Sequence, residues 1–254
     1  MASRWPATLW IVRHGESAGN VARDEAHAAG LARIALDIRD VDVPLSPRGV
    51  EQAEALARWF AARPADGRPE AVLCSPYARA VQTADVIARS GGLDPGAHAH
   101  CLDERLRERE FGILDRLTSQ GIRELHADQA EMRSHLGKFY HRPPGGESWC
   151  DVILRLRSAL DTLSLHYADR RVLIVGHQVV VLCLRYLLEK LTEAEILAID
   201  AAGDVANCGI TEYRFADSEG PSGGLTLARY NFTAPLERVG APVTTAPDHP
   251  VAPK

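Results

Sequence analysis

The feature that most constrains the fold is a short apolar run near the N-terminus that ends in a charged turn. Residues 8–12 read Thr-Leu-Trp-Ile-Val, and Arg13-His14-Gly15-Glu16-Ser17 follows at once. An apolar run of this length, cut off by a glycine, is typical of a buried strand that ends in a tight turn. Arg13 and His14 then stand at the carboxyl edge of the strand, where open α/β sheets bind their ligands. Taken alone, the pair also fits an ordinary strand end with two surface side chains.

A second apolar run of the same kind lies far along the chain. Residues 171–175 read Arg-Val-Leu-Ile-Val, and Gly176 and His177 end this run as His14 and Gly15 end the first. A histidine at a strand end is often only a satisfied core residue. The two histidines are therefore candidates for a functional site because they occur together in matching contexts.

The segments between these runs alternate between helical and strand patterns. Ser46-Pro47 is typical of an N-cap with proline at the first helical position, and it predicts a helix through Phe60. Residues 71–74 form another short apolar run, and residues 77–90 form the next helix. This β-α-β-α order favours a parallel sheet covered by helices. We predict an α/β fold of three layers, α/β/α, with a mostly parallel central sheet.

The rest of the chain divides in the same way. Helices are expected at 118–139, from Ser148 to about His166, across 179–188 and from Thr192, with a weak strand at 98–102 and strands at 210–215 and 225–232. Residues 20–42 are alanine-rich and mixed in charge, and helical in part. The pattern shows neither an internal repeat nor a linker, so we expect residues 1–232 to form a single domain and the Pro/Ala-rich residues 233–254 to form a flexible tail.

Composition and charge limit the function classes. With 254 residues, 46% of them apolar, the chain can build a sizeable core. A net charge of −5 provides no general attraction to nucleic acid or to an anionic membrane, so neither is expected as a partner. The chain has neither an apolar run near the ~20 residues of a membrane span nor a signal-peptide core, which predicts a cytoplasmic location. Five scattered cysteines, and histidines that are well separated apart from His98 and His100, predict no structural metal. The pattern leaves the oligomeric state open.

Six different short motifs follow one another along the chain. They are Arg13-His14-Gly15-Glu16-Ser17 with Asn20; Pro44-Leu45-Ser46 with Gly49 and Gln52-Ala53; Ser75-Pro76 with Arg79 and Gln82-Thr83-Ala84; Leu106 with Glu108 and Gly112; Gly145-Gly146-Glu147-Ser148; and Val175-Gly176-His177. Together, over about residues 8–232, they resemble the histidine phosphatase superfamily in its phosphoglycerate-mutase-like branch. Residues 144–149 and 177–183 are most similar to the fructose-2,6-bisphosphatase group.

The resemblance implies a mostly parallel α/β fold, a phosphohistidine intermediate, and neither a metal nor another cofactor. It assigns the nucleophile to His14, the binding of the phosphoryl group to Arg13, Arg79 and His177, the general acid to Glu108 and a phosphate contact to Asn20. His14, Glu108 and His177 are thus the candidate catalytic residues. Glu110, Glu104 and Asp103 lie close by in sequence and remain rival acids.

These residue types suit phosphoryl transfer. A guanidinium can bind two phosphoryl oxygens at once and stays charged at any working pH. His14 has to attack through a neutral ring nitrogen, and a hydrogen bond from its other nitrogen, for example to a backbone carbonyl of the turn, would fix the tautomer. His177 is better suited to act as a protonated donor to the phosphate. Attack by His14 would split the reaction into two displacements.

Two departures from the family pattern affect the substrate. The segment 20–42 is longer than the family commonly has, and Leu114-Asp115-Arg116 stands where many relatives have Trp-Glu-Gly. Four basic residues lie in regions expected to overhang the pocket: Arg109, Arg116, Lys138 and Arg142. If several point inward, a substrate with a second phosphate or a carboxylate is favoured.

The expected function is that of a metal-independent phosphatase whose substrate is a small phosphorylated metabolite, with a sugar phosphate favoured. One alternative is a phosphoglycerate mutase, which returns the phosphoryl group to its product. Another is a catalytically weak protein that binds a phosphorylated ligand, although a binding protein has no need of the acid Glu108.

Overall fold

The computed structural model describes residues 4–93, 101–217 and 223–245. The strands are β1 Thr8–Arg13, β2 Ala71–Cys74, β3 Cys101–Leu102, β4 Arg171–Gly176, β5 Ile210–Ala216 and β6 Gly224–Phe232. The helices are α1 Ala18–Ala28, α2 Pro47–Ala61, α3 Ala78–Ser90, α4 Ser119–Leu125, α5 Ala127–Tyr140, α6 Trp149–His166, α7 Gln178–Leu188, α8 Glu193–Ala202 and α9 Ala234–Glu237. Short 3-10 turns connect several of these elements.

The strands form one sheet in the order β3-β2-β4-β1-β5-β6. Neighbours from β3 to β1 run parallel, whereas β5 and β6 run antiparallel to their neighbours. The central strand β1 is buried on both faces: Leu9 and Ile11 pack in one apolar cluster, and Trp10 and Val12 in the other. A strand covered on both faces reads as a continuous apolar run. The predicted three-layer α/β/α class with a mostly parallel sheet is confirmed.

The pairing of β1 with β4 determines where the candidate site lies. The two strands are parallel and in register from Thr8 opposite Arg171 to Arg13 opposite Gly176. The next amide on the first strand, the N–H of His14, donates to the carbonyl of Gly176 at 2.9 Å. The residues that follow the two strands therefore meet at one edge of the sheet.

The predicted helix at 118–139 is two helices in the structure. Thr118 caps α4 by accepting a hydrogen bond from the Gly121 amide, and α4 ends at His126, where α5 begins. Gly137 has φ 79° and ψ 164°, which interrupts α5 near its end. A glycine tolerates this positive φ without steric cost. The predicted strand at 98–102 is described only from Cys101, because residues 98–100 lie outside the described part of the chain.

The long segment at 20–42 begins in a helix and continues as an irregular wall. Helix α1 starts with a reciprocal capping box between Ser17 and Asn20. Beyond it, the chain runs alongside residues 116–118: the Ile34 amide donates to the Arg116 carbonyl at 2.9 Å. The Thr118 amide donates to the Ala32 carbonyl at 3.1 Å. A single 3-10 turn, Asp40–Asp42, then leads into α2.

The predicted start of a flexible tail at residue 233 is wrong. Residues 234–237 form α9, and its Leu236 is fully buried in the same apolar cluster as α2 and α3. The side-chain amide of Gln52 donates to the Pro242 carbonyl and to the Thr244 hydroxyl. The Pro/Ala-rich composition does not predict these contacts, because they involve only one buried leucine, one hydroxyl and one backbone carbonyl. Residues 246–254 lie outside the described part of the chain.

Candidate active site

His14 is held in one tautomer by the turn that carries it. The side chain is fully buried, and its Nδ1 lies 2.6 Å from the Gly15 carbonyl oxygen. A carbonyl only accepts hydrogen bonds, so Nδ1 carries the proton and Nε2 keeps its lone pair. The Nε of Arg79 lies 3.2 Å from Nε2, as a donor to that lone pair. The expected hydrogen bond to a backbone carbonyl of the turn is therefore present, and Nε2 is the ring nitrogen that keeps a lone pair.

The turn around His14 is fixed by close backbone packing. A Cβ on Gly49 would lie 2.0 Å from the Glu16 carbonyl oxygen, and one on Gly15 would lie 2.4 Å from the Gly49 carbonyl oxygen. Glycine is therefore required wherever the turn crosses the start of α2. Side chains complete the support: the Gln52 amide oxygen accepts from the Glu16 amide at 2.8 Å, and Asn207 donates to the His14 carbonyl at 3.0 Å.

Arg79 reaches the site from the first turn of α3. Its side chain is only 5% exposed, and its Nη atoms face Asp40 from the segment 20–42. Nη1 donates to the Asp40 carbonyl at 2.7 Å and to Oδ1 at 2.9 Å, and Nη2 donates to Oδ2 at 3.2 Å. The guanidinium therefore lies between a carboxylate on one side and the imidazole of His14 on the other.

His177 and Glu108 form a pair beside the nucleophile. The ring of His177 is fully buried, with its centroid 5.1 Å from that of His14. Its Nε2 lies 2.8 Å from the Ser75 hydroxyl, and its Nδ1 lies 3.6 Å from Oε2 of Glu108. Glu108 is 2% exposed, and its other oxygen accepts from the Arg109 amide at 2.7 Å. The 3.6 Å separation is that of an ion pair and exceeds hydrogen-bond distance, so the carboxyl group and the imidazole lie side by side.

The rival acids are placed differently. Glu110 is exposed and accepts from the Tyr77 hydroxyl at 3.0 Å, and Glu104 is exposed. Asp103 accepts two hydrogen bonds from Arg105: Nε donates to Oδ1 at 2.8 Å, and Nη2 donates to Oδ2 at 2.6 Å. Burial acts to raise the pKa of Asp103, but the hydrogen bonds from Arg105 outweigh it and bring the pKa below its usual range. Glu108 is the one of these four acids that lies against His177.

Arg13 and Asn20 lie at the same edge of the sheet. Arg13 is fully buried, and its Nη1 donates to the Val205 carbonyl at 2.6 Å. Asn20 is 4% exposed, and its Oδ1 accepts from the amide and hydroxyl of Ser17 at 3.0 Å each. Asn20 therefore serves in the capping box of α1.

A small cavity lies beside Arg79 and Asn20. It is lined by Ser17, Gly19, Asn20, Leu36, Ile38, Asp40, Arg79, Asp115 and Arg116. Burial and, next in size, the charge of Asp40 raise the pKa of Asp115 above its ordinary value. Asp115 and Arg116 thus line the same cavity as Leu36, Ile38 and Asp40 of the 20–42 segment.

Of the four basic residues expected near the pocket, Arg116 alone lines this cavity. Arg109 donates to the carbonyls of Glu147 and His141, Lys138 pairs with Asp200, and Arg142 pairs with Asp151. These three are committed to structural contacts. Their placement does not favour a second phosphate on the substrate.

Several residues of the site are not predictable from the sequence pattern. Asp40, Tyr77 and Asn207 carry no signal that separates them from ordinary turn or helix-start residues. Tyr77 packs its ring 5.1 Å from that of His177, and the guanidinium carbon of Arg79 lies 4.9 Å from the Tyr77 ring centroid. Ser75 belongs to one of the six motifs, and its hydroxyl contact with His177 gives that motif a physical role.

Neither a metal-binding cluster nor a membrane span is found in the described part of the chain. No group of three or more His, Cys, Asp and Glu side chains within 4–93, 101–217 and 223–245 is arranged to hold a metal ion. In the same ranges, no helix is long and apolar enough to cross a membrane.

Comparison with known proteins defines the family. The model of the histidine phosphatase superfamily (branch 1) matches residues 9–222. A probable phosphoglycerate mutase of Proteus mirabilis is 30% identical over 178 residues, which cover 69% of this chain and 72% of the relative. The chain therefore belongs to the histidine phosphatase superfamily, branch 1, an enzyme family, and the resemblance seen in the motifs is confirmed.

Other relatives differ in length and name. A 6-phosphofructo-2-kinase/fructose-2,6-bisphosphatase of Caenorhabditis elegans is 32% identical over 178 residues, covering 70% of this chain and 33% of that protein. The chain thus spans about a third of the length of the bifunctional relatives it matches. Among solved structures, a mycobacterial glucosyl-3-phosphoglycerate phosphatase superposes with a TM-score of 0.65 at 26% identity, covering 89% of this chain and 99% of that one.

Proposed function

We propose that this chain hydrolyses a small phosphorylated metabolite through a phosphohistidine on Nε2 of His14. The observation that carries the proposal is the geometry of that nitrogen. Nδ1 is hydrogen-bonded to the Gly15 carbonyl, so the lone pair of Nε2 faces the guanidinium of Arg79. A neutral imidazole beside a cation that can bind phosphoryl oxygens suits attack on a phosphate ester, in which the Arg79 N–H would pass from Nε2 to a phosphoryl oxygen and leave the lone pair of Nε2 for phosphorus.

In the first step, Nε2 of His14 attacks phosphorus and the bond from phosphorus to the ester oxygen breaks. Protonated Glu108 gives its proton to the departing oxygen, so that an alcohol leaves. Arg79 and His177, the latter as imidazolium, would hold the charged oxygens of the transferring group. Phosphoryl transfer depends mainly on positioning and electrostatic stabilisation, which these buried groups would supply.

In the second step, a water molecule attacks the phosphohistidine. Carboxylate Glu108 takes a proton from this water, the bond between phosphorus and Nε2 breaks, and inorganic phosphate leaves with His14 neutral again. The same residue thus acts as acid and then as base, returning to its protonated form at the end of each cycle. The steps need neither a metal nor a cofactor.

The favoured substrate is a sugar phosphate with a single phosphoryl group. Relatives named as fructose-2,6-bisphosphatase and glucosyl-3-phosphoglycerate phosphatase support a carbohydrate portion. The structural pairing of Arg109, Lys138 and Arg142 argues for one phosphoryl group rather than two. The proposal includes a cytoplasmic location, for which five free thiols are suited.

The test is phosphate release from a panel of phosphorylated sugars, glycerates, nucleotides and peptides in the presence of EDTA. We expect turnover by the wild type and loss of at least about a thousandfold in His14→Ala, because the covalent step is removed. The matched control is His166→Ala, since His166 is exposed at the end of α6. Equal activity in His14→Ala and the wild type would refute the phosphohistidine route.

A mutase is the second candidate, because one relative is named a probable phosphoglycerate mutase. A mutase returns the phosphoryl group to a second glycerate hydroxyl, whereas a phosphatase gives it to water. Incubation with 3-phosphoglycerate, followed by measurement of both 2-phosphoglycerate and free phosphate, separates the two. Formation of 2-phosphoglycerate faster than free phosphate would replace the phosphatase proposal.

A further inference from the structure

The segment 20–42 contributes Asp40, whose carboxylate pairs directly with the proposed phosphate-binding residue Arg79. Asp40 begins the 3-10 turn Asp40–Asp42, which packs beside α3. Its side chain is 42% exposed, whereas that of its partner Arg79 is 5% exposed. A partly exposed carboxylate is thus paired with a buried guanidinium.

The pattern of contacts divides the guanidinium of Arg79 into two edges. The edge formed by Nη1 and Nη2 donates to Oδ1 and Oδ2 of Asp40, and Nη1 also donates to the Asp40 backbone carbonyl. Nε belongs to the adjacent edge and lies 3.2 Å from Nε2 of His14. A guanidinium is a rigid planar fork, so fixing one edge fixes the direction of the other.

We infer that Asp40 is a positioning residue, which holds Arg79 by its Nη edge so that the Nε edge faces the phosphoryl group on His14. This inference rests on the proposed function, and it adds Asp40 to the residues that support the proposed reaction. The carboxylate does not touch the reacting atoms. It acts through Arg79, and it makes the segment 20–42 part of the catalytic site instead of a separate lid.

The opposite role for Asp40 would be that of a competitor, a carboxylate that occupies Arg79 until a phosphate displaces it. The geometry favours positioning because Nε is the Arg79 atom that donates to His14, whereas Nη1 and Nη2 donate to Asp40. A competitor would be expected on the edge that faces the nucleophile. The two roles predict opposite signs for the effect of removing the carboxylate.

The test compares Asp40→Asn with Asp42→Asn. Asparagine keeps the size of Asp40 but replaces one oxygen by an NH₂ donor, which cannot pair with Nη. Asp42 lies in the same turn and pairs at 2.7 Å with exposed Arg39, a contact of little energetic weight.

The measured quantities are kcat and KM with 4-nitrophenyl phosphate, and the affinity for inorganic phosphate by calorimetry. The expected loss of kcat/KM in Asp40→Asn is about 10- to 100-fold, since misplacement by about 1 Å costs that much. Phosphate should bind about tenfold more weakly, with Asp42→Asn within about twofold of wild type.

A double variant separates positioning from a general effect on the turn. Lysine has no fork, so in an Arg79→Lys background Asp40→Asn should change kcat/KM by less than about twofold. A similar loss in both backgrounds would mean that Asp40 only maintains the local fold, and the inference would fall. Tighter phosphate binding in Asp40→Asn would make Asp40 a competitor and would also overturn it.

The outcomes distinguish this inference from the proposed function. If wild type turns over phosphate esters and Asp40→Asn matches it, the positioning role fails and the phosphatase stands. If wild type releases no phosphate while Asp40→Asn still weakens phosphate binding, the phosphatase fails and the positioning role stands. Absence of both turnover and phosphate binding in wild type overturns both.

Discussion

A methyl group at Gly49 should damage the site without touching any residue that the chemistry uses. The Cβ of Gly49→Ala would lie 2.0 Å from the carbonyl oxygen of Glu16, and 2.9 Å from both its carbonyl carbon and its amide nitrogen. Favourable contacts between heavy atoms lie at about 3.5 Å, so the turn and the start of α2 must separate by more than about 1 Å. Both are backbone, so the strain cannot be relieved by a side-chain rotation.

The displaced atoms adjoin the nucleophile. Glu16 follows Gly15, whose carbonyl fixes the tautomer of His14, and the Glu16 carbonyl also accepts from the Ser46 amide at 2.9 Å. We expect kcat/KM to fall by about 100-fold, the usual cost of a shift of about 1 Å in a catalytic group. Overpacking of this kind should lower the free energy of unfolding by about 1–3 kcal/mol. In a domain of this size each kcal/mol lowers Tm by about 2–4 °C.

The assay pairs thermal unfolding with steady-state hydrolysis of 4-nitrophenyl phosphate. The matched control is Gly203→Ala, because Gly203 has φ 166° and no atom within 4 Å of an added Cβ. That variant should keep wild-type kcat/KM and Tm. Wild-type values in Gly49→Ala as well would refute the close packing of the turn against α2 and, with it, this account of how His14 is held.

Two further predictions concern acid groups of the site. Glu108→Gln should slow phosphoryl transfer from sugar phosphates to His14, measured as kcat/KM, by about 10²–10⁴-fold, the range for a general acid. It should slow transfer from 4-nitrophenyl phosphate far less, because nitrophenolate leaves without a proton, whereas the later attack of water on the phosphohistidine is common to both substrates and affects kcat. Glu110→Gln is the matched control, and equal slowing of both transfers would contradict an acid role for Glu108. Burial and the charge of Glu110 raise the pKa of Tyr77 above its ordinary value, so the neutral phenol stabilises the fold below pH about 10 and this contribution is lost as the pH rises further. Tyr77→Phe should therefore show a smaller fall in Tm than wild type between about pH 9 and pH 11, and an equal fall would show that Tyr77 does not titrate in this way.

The ends of β1 and β4 are predictable from the sequence because they depend on residues that are adjacent in the chain. A short apolar run closed by glycine defines a buried strand and its turn, and this pattern alone places His14 and His177 at strand ends. The register that brings them together depends on the pairing of β1 with β4, two strands that are distant in the chain. Nothing local in the sequence specifies that pairing, although the matched endings of the two runs indicate it.

The role of the segment 20–42 is not predictable, for a different reason. Asp40 is one of several acidic residues in a mixed segment, and only the path of the chain distinguishes it from Asp37 or Asp42. The basic residues mislead in the same way, since Arg109 lies within a charge run and is nevertheless 3% exposed, bonded to two backbone carbonyls. The sequence gives the number of charged side chains but not the groups that they contact. Those contacts decide whether a guanidinium stabilises the fold or is available to a ligand.

The segment 20–42 and residues 114–116, which the resemblance singles out, form a single structural unit. The Arg116 guanidinium donates to the Leu36 carbonyl at 2.8 Å, and the Arg116 carbonyl accepts from the Ile34 amide, so each segment supports the other. Together they line the cavity beside Arg79, and Asp40 connects them to Arg79. A change of Leu114-Asp115-Arg116 to the common Trp-Glu-Gly would leave the Leu36 carbonyl without this donor and would loosen the wall that carries Asp40. If Arg79 binds the phosphoryl group as proposed, substrate choice and the orientation of this arginine are coupled through Asp40.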